Sequence, residues 1–388
     1  MRLHYPTFEL YVLKSFIDTG SSDLWVISDK CKGNCATDLS LYPTADFKPT
    51  NLHAELRYGD SFTGTHAIGP IGQDIVSIAG LSLPDQYFSA INDTDTNVLS
   101  TGAAGIFGLG FPINSAIWAT VFSEVVGTSD KRSLWKRGSR GTFPNVHALY
   151  DAVRGSGHSQ YRRQADDAEG TSAILKLYAS LGPFLSRLVG IEELELPSFT
   201  ITLQRNYIDI GGNAGVLTVG GLPERVKNNS LTWVPLRAYS EQEGGLAAPV
   251  ESPSEVYPMV WEVFVDAVYL DDHLLSESKL GPSTISPSAL LDTGNSLIRG
   301  PEDVINEMHS LLGITSDGSG SAFGCSTPHN LTFVIGGTVF PVDPRDFISQ
   351  AYYDSVEYCV PNIAKTDAPV IGEGYLYSWN LGDPFLKR

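Results

Sequence analysis

Two stretches decide the reading of this chain: Phe16-Ile17-Asp18-Thr19-Gly20-Ser21-Ser22 and Leu290-Leu291-Asp292-Thr293-Gly294-Asn295-Ser296. Each places Asp-Thr-Gly directly after a pair of apolar residues. A given tripeptide is expected roughly 0.1 times in a chain of this length, so two copies in matching contexts are not an accident. A second pair repeats with the first. Gly108, in Ile106-Phe107-Gly108, lies 90 positions after Asp18, and Gly382, in Leu381-Gly382, lies 90 positions after Asp292. One Asp-Thr-Gly alone reads most simply as an Asx-turn at a strand end. Duplication with equal spacing instead implies two copies of one structural unit.

Two like units can face each other across a pseudo-two-fold axis, bringing equivalent loops together between them. Asp18 would then meet Asp292. Two carboxyls that close cannot both ionise cheaply, so they share a proton, one held below its ordinary pKa and the other above it. One carboxylate can take a proton from a bound water while its protonated partner gives one to a carbonyl oxygen. That chemistry cleaves an amide without a covalent intermediate. Gly20 and Gly294 let backbone N–H groups approach the carboxylates with no Cβ in the way. Thr19 and Thr293 can hydrogen-bond across the axis. Ser21 on one side and Asn295 on the other can donate to the outer carboxylate oxygens.

The chain around these segments has 388 residues, 42% hydrophobic and 18% charged, which suits a globular protein of two lobes. Its 38 Gly and 23 Pro leave little room for long helices. The Val/Ile/Phe/Tyr/Thr segments between them read as short strands, so the fold class is mostly β. Forty-four Asp+Glu against 26 Lys+Arg give a net charge of -18, which argues against a nucleic-acid or anionic-membrane partner. No run approaches the ~18 apolar residues of a membrane span. No signal peptide is visible in Met1 to Leu13. Cys31, Cys35, Cys325 and Cys359 lack the spacing and partner His of a zinc site. Two disulfides, Cys31–Cys35 and Cys325–Cys359, are the simplest reading, with four inert buried thiols the alternative. Three glycosylation sequons, at Asn92, Asn228 and Asn330, join the cysteines in favouring a secretory route, extracellular or vacuolar.

With these residues in place, the sequence resembles the pepsin family of aspartic endopeptidases over most of its length outside one central segment. The run from Asp18 to Trp25, Asp-Thr-Gly-Ser-Ser-Asp-Leu-Trp, is the most specific match. Arg57-Tyr58-Gly59-Asp60-Ser61 with Gly64 resembles the family's flap, a hairpin that closes over substrate, with Tyr58 the flap tyrosine and Trp25 its hydrogen-bond partner. Gly105-Ile106-Phe107-Gly108-Leu109-Gly110 and Leu381-Gly382-Asp383 resemble the paired apolar-Gly segments that thread behind each catalytic loop. The cysteines fall where the family has a small N-lobe bridge and a larger C-lobe bridge. The resemblance implies a bilobal, mostly β acid protease fold, two pseudo-symmetric lobes flanking a substrate cleft. The N-terminal lobe would cover 1–225, with the flap near 57–64, and the C-terminal lobe 226–388. It further implies a monomer that cuts polypeptides at acidic pH with Asp18 and Asp292, using no metal or cofactor, and secretion as a zymogen. Trp261-Glu262-Val263 and the segment from Asn295 to Pro301 are similar to those of fungal members.

The chain departs from the pattern in several places. Asn295 replaces the hydroxyl residue usual after the second Asp-Thr-Gly, and a modest shift in dyad acidity is expected from it. Asn380 stands where an apolar residue usually precedes Leu-Gly, and Ala104 replaces a frequent Asp. Seventeen residues precede Asp18 and six follow Gly382, so strands that join the lobes in the family are expected to be missing. Residues 127–190 hold ten Lys+Arg and five Asp+Glu, a net of +5, leaving -23 on the rest. Residues 130–170 show no clear period and read as a solvated or disordered insertion, about 127–177, with a short helix rejoining the fold around Leu175 to Val189. Lys131-Arg132, Lys136-Arg137 and Arg162-Arg163 make it a candidate processing loop.

Other enzyme classes fail on their motifs. There is no Gly-x-Ser-x-Gly, H-E-x-x-H, G-x-G-x-x-G or P-loop. The competing reading from a different class is a catalytically silent pepsin-like binding or structural protein. Retention of both aspartates speaks against it, and the short ends speak for it.

Overall fold

The 90-residue spacing is a strand register. The computed structural model describes residues 13–32, 35, 38–59, 64–127, 134–138, 141–155, 167–203, 215–224, 226–314, 322–352 and 355–387. In it, strand Phe16–Asp18 runs parallel to strand Gly105–Gly108, with Asp18 opposite Gly108. Strand Ser288–Leu291 runs parallel to strand Trp379–Leu381, with Leu291 opposite Leu381, which sets Asp292 beside Gly382. Each unit then repeats the same weave. Leu24–Ile27 pairs antiparallel with Gly105–Gly108 and parallel with Leu81–Ile91. Ile298–Pro301 pairs antiparallel with Trp379–Leu381 and parallel with Ile363–Thr366. The fold is mostly β and bilobal, with a seven-stranded sheet in one lobe and a five-stranded sheet at the centre of the other.

The apolar pattern explains why these strands lie at the centre. Leu24-Trp25-Val26-Ile27 is a continuous apolar run and is buried throughout, as a strand covered on both faces must be. Successive side chains point to opposite faces. Trp25 and Ile27 accordingly join Leu56, Ile71 and Ile106 in one core, while Leu24 and Val26 join Phe88, Phe107 and Phe184 in another. In the second lobe Ala289, Ile298, Phe333, Trp379 and Leu381 belong to a single core closed by helix Glu302–Leu311 through Val304, Ile305 and Met308.

Asp23 links the loop that follows Asp18 to a helix. Its buried carboxylate accepts from Ser115 Oγ at 2.5 Å, Ala116 N at 2.9 Å and Ile117 N at 3.0 Å. These groups form the N-terminus of helix Ala116–Val125, where free N–H groups and the helix dipole favour a negative charge. The loop that follows Asp18 is thereby anchored to a rigid element.

The expectation of an unstructured segment over 130–170 is corrected for its described residues. Strands Trp135–Gly138 and Gly141–Pro144 pair as a hairpin, and helices Val146–Gly155 and Asp167–Leu181 follow. Helix Phe184–Gly190 comes after a break at Gly182-Pro183, so the rejoining helix starts eight residues before Leu175. Leu134, Phe143, Val146, Leu149, Tyr150 and Ile174 are buried in a third core shared with Trp118 and Phe122 and with Tyr239, Leu246 and Met259. Val146, Leu149, Tyr150 and Val153 do follow a helical i, i+3, i+4, i+7 spacing. Ten residues of it are diluted in a forty-residue window rich in Gly, Ser and Arg. The packing partners lie about a hundred positions away, beyond the reach of any local pattern. Residues 156–166, with Arg162-Arg163, and Lys131-Arg132 lie outside the described residues.

Cys31–Cys35 and Cys325–Cys359 are both bridged, which excludes the four-thiol alternative. Among the described residues no helix is long and apolar enough to cross a membrane.

Candidate active site

Asp18 and Asp292 come together where the lobes meet. Asp18 ends strand Phe16–Asp18, and Asp292 directly follows strand Ser288–Leu291. Leu109 N–H donates to Asp18 O at 2.7 Å, and Asp292 N–H donates to Leu381 O at 3.0 Å, so the threading segments hold both loops. Thr19 and Thr293 cross the interface in a reciprocal pair. Thr19 N–H donates to Thr293 Oγ1 at 3.1 Å, and Thr293 N–H to Thr19 Oγ1 at 3.0 Å. Each hydroxyl then donates to a carbonyl of the opposite lobe: Thr19 to Leu291 O at 2.7 Å, and Thr293 to Ile17 O at 2.8 Å. Four hydrogen bonds therefore fix one aspartate relative to the other.

The glycines set how closely the loops approach. A Cβ at Gly20 would lie 2.6 Å from Asp292 Cγ, and one at Gly294 would lie 2.7 Å from Asp18 Cγ. Any side chain at either position would drive the carboxyls apart. Gly20 N–H donates to Asp18 Oδ1 and Gly294 N–H to Asp292 Oδ1, both at 2.8 Å. Asp18 is 5% exposed and Asp292 9%, whereas Gly20 and Gly294 are exposed.

The electrostatics follow from this burial. Desolvation, and then the charge of Asp292, push the Asp18 carboxyl up from its ordinary 3.8 to about 7, against hydrogen bonds from Ser21 and Gly20. Burial also raises Asp292, but Asn380, Gly294, Asp18 and the positive charge of Arg299 all act to lower it. The two carboxyls hydrogen-bond to each other, which raises Asp18 and lowers Asp292. Both carboxyls are thus raised by burial and titrate as one coupled pair, with the hydrogen bonds and charge around Asp292 favouring its ionised form.

Ser21 Oγ donates to Asp18 Oδ2. Trp25 Nε1 donates to Tyr58 OH at 2.6 Å, with Trp25 fully buried. Tyr58 ends strand Lys48–Tyr58, which pairs with strand Thr65–Ile78 so that Tyr58 faces Thr65 across a hairpin. Gly59 follows with φ of 89°, a left-handed conformation that glycine accommodates. Asp60 and Ser61 lie outside the described residues.

Asn295 requires a correction. Its amide does not supply the outer hydrogen bond to Asp292: Asn380 Nδ2 donates to Asp292 Oδ2 at 2.8 Å, and Asn295 Nδ2 donates to Asn380 Oδ1 at 3.0 Å. The side chain of Asn295 is drawn away because its own Oδ1 accepts Leu297 N–H at 3.2 Å. Asn380, which the sequence marks only as a departure from the family pattern, is thus placed in the site. Its signal was a carboxamide in the otherwise apolar run between Trp379 and Leu381. Among the described residues no group of three or more His, Cys, Asp or Glu side chains is placed to hold a metal ion.

The sequence model of the eukaryotic aspartyl protease family matches residues 11–134 and 175–388. The chain belongs to this family. Cathepsin E of Mus musculus is 25% identical over 378 residues, covering 96% of this chain and 71% of the relative. Pepsin A of Sus scrofa is 24% identical over 382 residues, with 96% and 72% covered, and gastricsin of Mus musculus 23% over 380, with 95% and 71% covered. The family match passes over residues 135–174 of the chain, the stretch that holds the hairpin and the Val146–Gly155 helix.

Proposed function

We propose that the chain is an aspartic endopeptidase that hydrolyses polypeptides at acidic pH by activating a water between Asp18 and Asp292. The observation that carries this reading is the buried carboxyl pair, cross-tied by Thr19 and Thr293. Residues 1–225 and 226–388 are the two lobes in this reading.

Ionised Asp292 takes a proton from the water as its oxygen attacks the scissile carbonyl carbon, and protonated Asp18 gives its proton to the carbonyl oxygen. A neutral gem-diol results. On its collapse, a diol hydroxyl returns a proton to Asp18, Asp292 passes its proton to the departing nitrogen, and the C–N bond breaks. One water is consumed, an acid and an amine form, and the dyad regains its starting protonation state. Tyr58, tied to Trp25 on the hairpin, covers the bound chain.

A peptide rich in bulky apolar residues tests the reading. Hydrolysis is expected at acidic pH and should fall as pH rises through about 7, where Asp18 loses its proton. Metal chelators and serine-directed reagents should leave it unchanged; inhibition by either would refute the reading.

The chain is further assigned to the secretory route, extracellular or vacuolar, on its two disulfides and its sequons. Asn228 is exposed, and its Oδ1 accepts from the indole N–H of Trp233 at 2.8 Å, which leaves Nδ2 for an N-linked glycan. Protein secreted by a eukaryotic host should lose mass on N-glycan removal, and Asn228→Gln should lose part of that change.

A further inference from the structure

The two aspartates are supported by chemically different donors. By the 90-residue equivalence, Asn295 is the counterpart of Ser21, and Asn380 is the counterpart of Ile106, a buried apolar residue. Asp18 Oδ2 accepts from the Ser21 hydroxyl, on its own loop. Asp292 Oδ2 accepts from Asn380 Nδ2 at 2.8 Å, on the neighbouring strand. The difference matters because a hydroxyl rotates. It donates to a carboxylate and can equally accept from a carboxylic acid, so Ser21 serves both protonation states of Asp18.

Asn380 has no such freedom, and a chain of contacts fixes its direction. Leu297 N–H can only donate, so the atom of Asn295 facing it, at 3.2 Å, is the carbonyl Oδ1. The NH2 of Asn295 is then turned to Asn380, whose Oδ1 accepts it at 3.0 Å. This in turn leaves the NH2 of Asn380 pointing at Asp292. A carboxamide held in this way can donate and never accept, so it stabilises ionised Asp292 and offers nothing to the protonated form. We propose that Asn380, oriented by Asn295, is a positioning residue that fixes Asp292 as the ionised, water-activating member of the dyad and leaves the acid role to Asp18. This rests on the protease reading above.

The other charged groups facing Asp292 are Asp18 across the axis, Arg299 on the strand opposite Asn380, and Asp383 at the start of helix Asp383–Leu386. Arg299 reinforces the ionised state, and Asp383 opposes it when charged. Neither of them replaces the donor to Oδ2.

The internal repeat supplies the test. Asn380→Ile removes the donor, and Asn295→Ser with Asn380→Ile gives the second lobe the hydroxyl-and-apolar arrangement of the first. The acid limb of the kcat/KM profile on an apolar peptide should move up by about one to two pH units in Asn380→Ile, the equivalent of one hydrogen bond to a charged group. The double variant should bring the limb most of the way back. An unshifted limb in Asn380→Ile, or a double variant as displaced as the single one, would overturn the proposal. Should Asn380→Ile lose its thermal unfolding transition, Asn295→Ala, which leaves Asn380 in place but unheld, carries the same test: a smaller upward shift supports the proposal and none overturns it. Asp292→Asn run alongside separates the two claims, since activity retained there would sink the protease reading itself.

Discussion

Replacing Asp18 by Asn should stabilise the protein at neutral pH while leaving it nearly unchanged in acid. Asp18 is 5% exposed and its carboxyl is raised from 3.8 to about 7, first by burial and then by the charge of Asp292. Between those two values the folded protein keeps a proton that the unfolded chain has released. Stability therefore falls as pH rises through this interval. The contribution is fully present below 3.8 and is lost as pH passes through about 7. A shift of roughly three pH units at about 1.4 kcal/mol per unit corresponds to about 4 kcal/mol. That is a large share of the ~5–15 kcal/mol that holds an ordinary domain folded. Asp23 and Asp383 are also raised by burial, and self-repulsion within a chain of net charge -18 grows with pH. The wild-type decline alone would thus not isolate Asp18. Asn is nearly isosteric with protonated Asp, so the difference between wild type and variant isolates the titration of the coupled Asp18–Asp292 pair. Urea unfolding followed by tryptophan fluorescence at about pH 3.5 and about pH 7.5 gives the four free energies required. The variant should match wild type within about 1 kcal/mol in acid and exceed it by about 3–4 kcal/mol near neutrality. Parallel pH dependence of the two proteins would refute the account of the dyad's burial.

Three further outcomes follow from individual contacts. Thr19→Val and Thr293→Val each leave a buried N–H and a carbonyl without a partner and should cost about 2–3 kcal/mol, with the double variant well short of additive in a denaturation cycle. Tyr58→Phe removes the acceptor of the buried Trp25 indole and should lower kcat/KM on a peptide about tenfold; unchanged kinetics would exclude the hairpin from substrate contact. In the segment 135–174, Tyr150 OH accepts Ala247 N–H at 2.9 Å. Tyr150→Phe should therefore lower stability by about 1–3 kcal/mol, a loss that a solvated loop would not show.

Much of the site was legible because it is written twice. A repeat of Asp-Thr-Gly with an equal 90-residue offset to a second glycine encodes the parallel pairing of Asp18 with Gly108 and the corresponding pairing in the other lobe. The period and the register are the same quantity, so sequence alone located both aspartates, both glycines and the crossing threonines. The donor to Asp292 was not legible in that way. Asn295 sits at the position where a hydroxyl stands in the first copy, and only the pairing of strands 85 positions apart shows that Asn380 takes over its bond. The central segment was hidden for a different reason. Its apolar faces are completed by Tyr239, Leu246 and Met259, so no window of consecutive residues contains a whole core. Its hydroxyl contacts, such as Tyr150 to Ala247, likewise close only in three dimensions.

The central claim is that Asp18 and Asp292 act as one acid–base unit, and hydrolysis of an apolar peptide by wild type, Asp18→Asn and Asp292→Asn at about pH 4 tests it most directly. Asn can neither ionise nor give up a proton at that pH, so each single variant should lose essentially all activity, a fall of about a thousandfold or more, while retaining a cooperative unfolding transition. A folded single variant that still cleaves at a rate comparable with wild type would contradict the account.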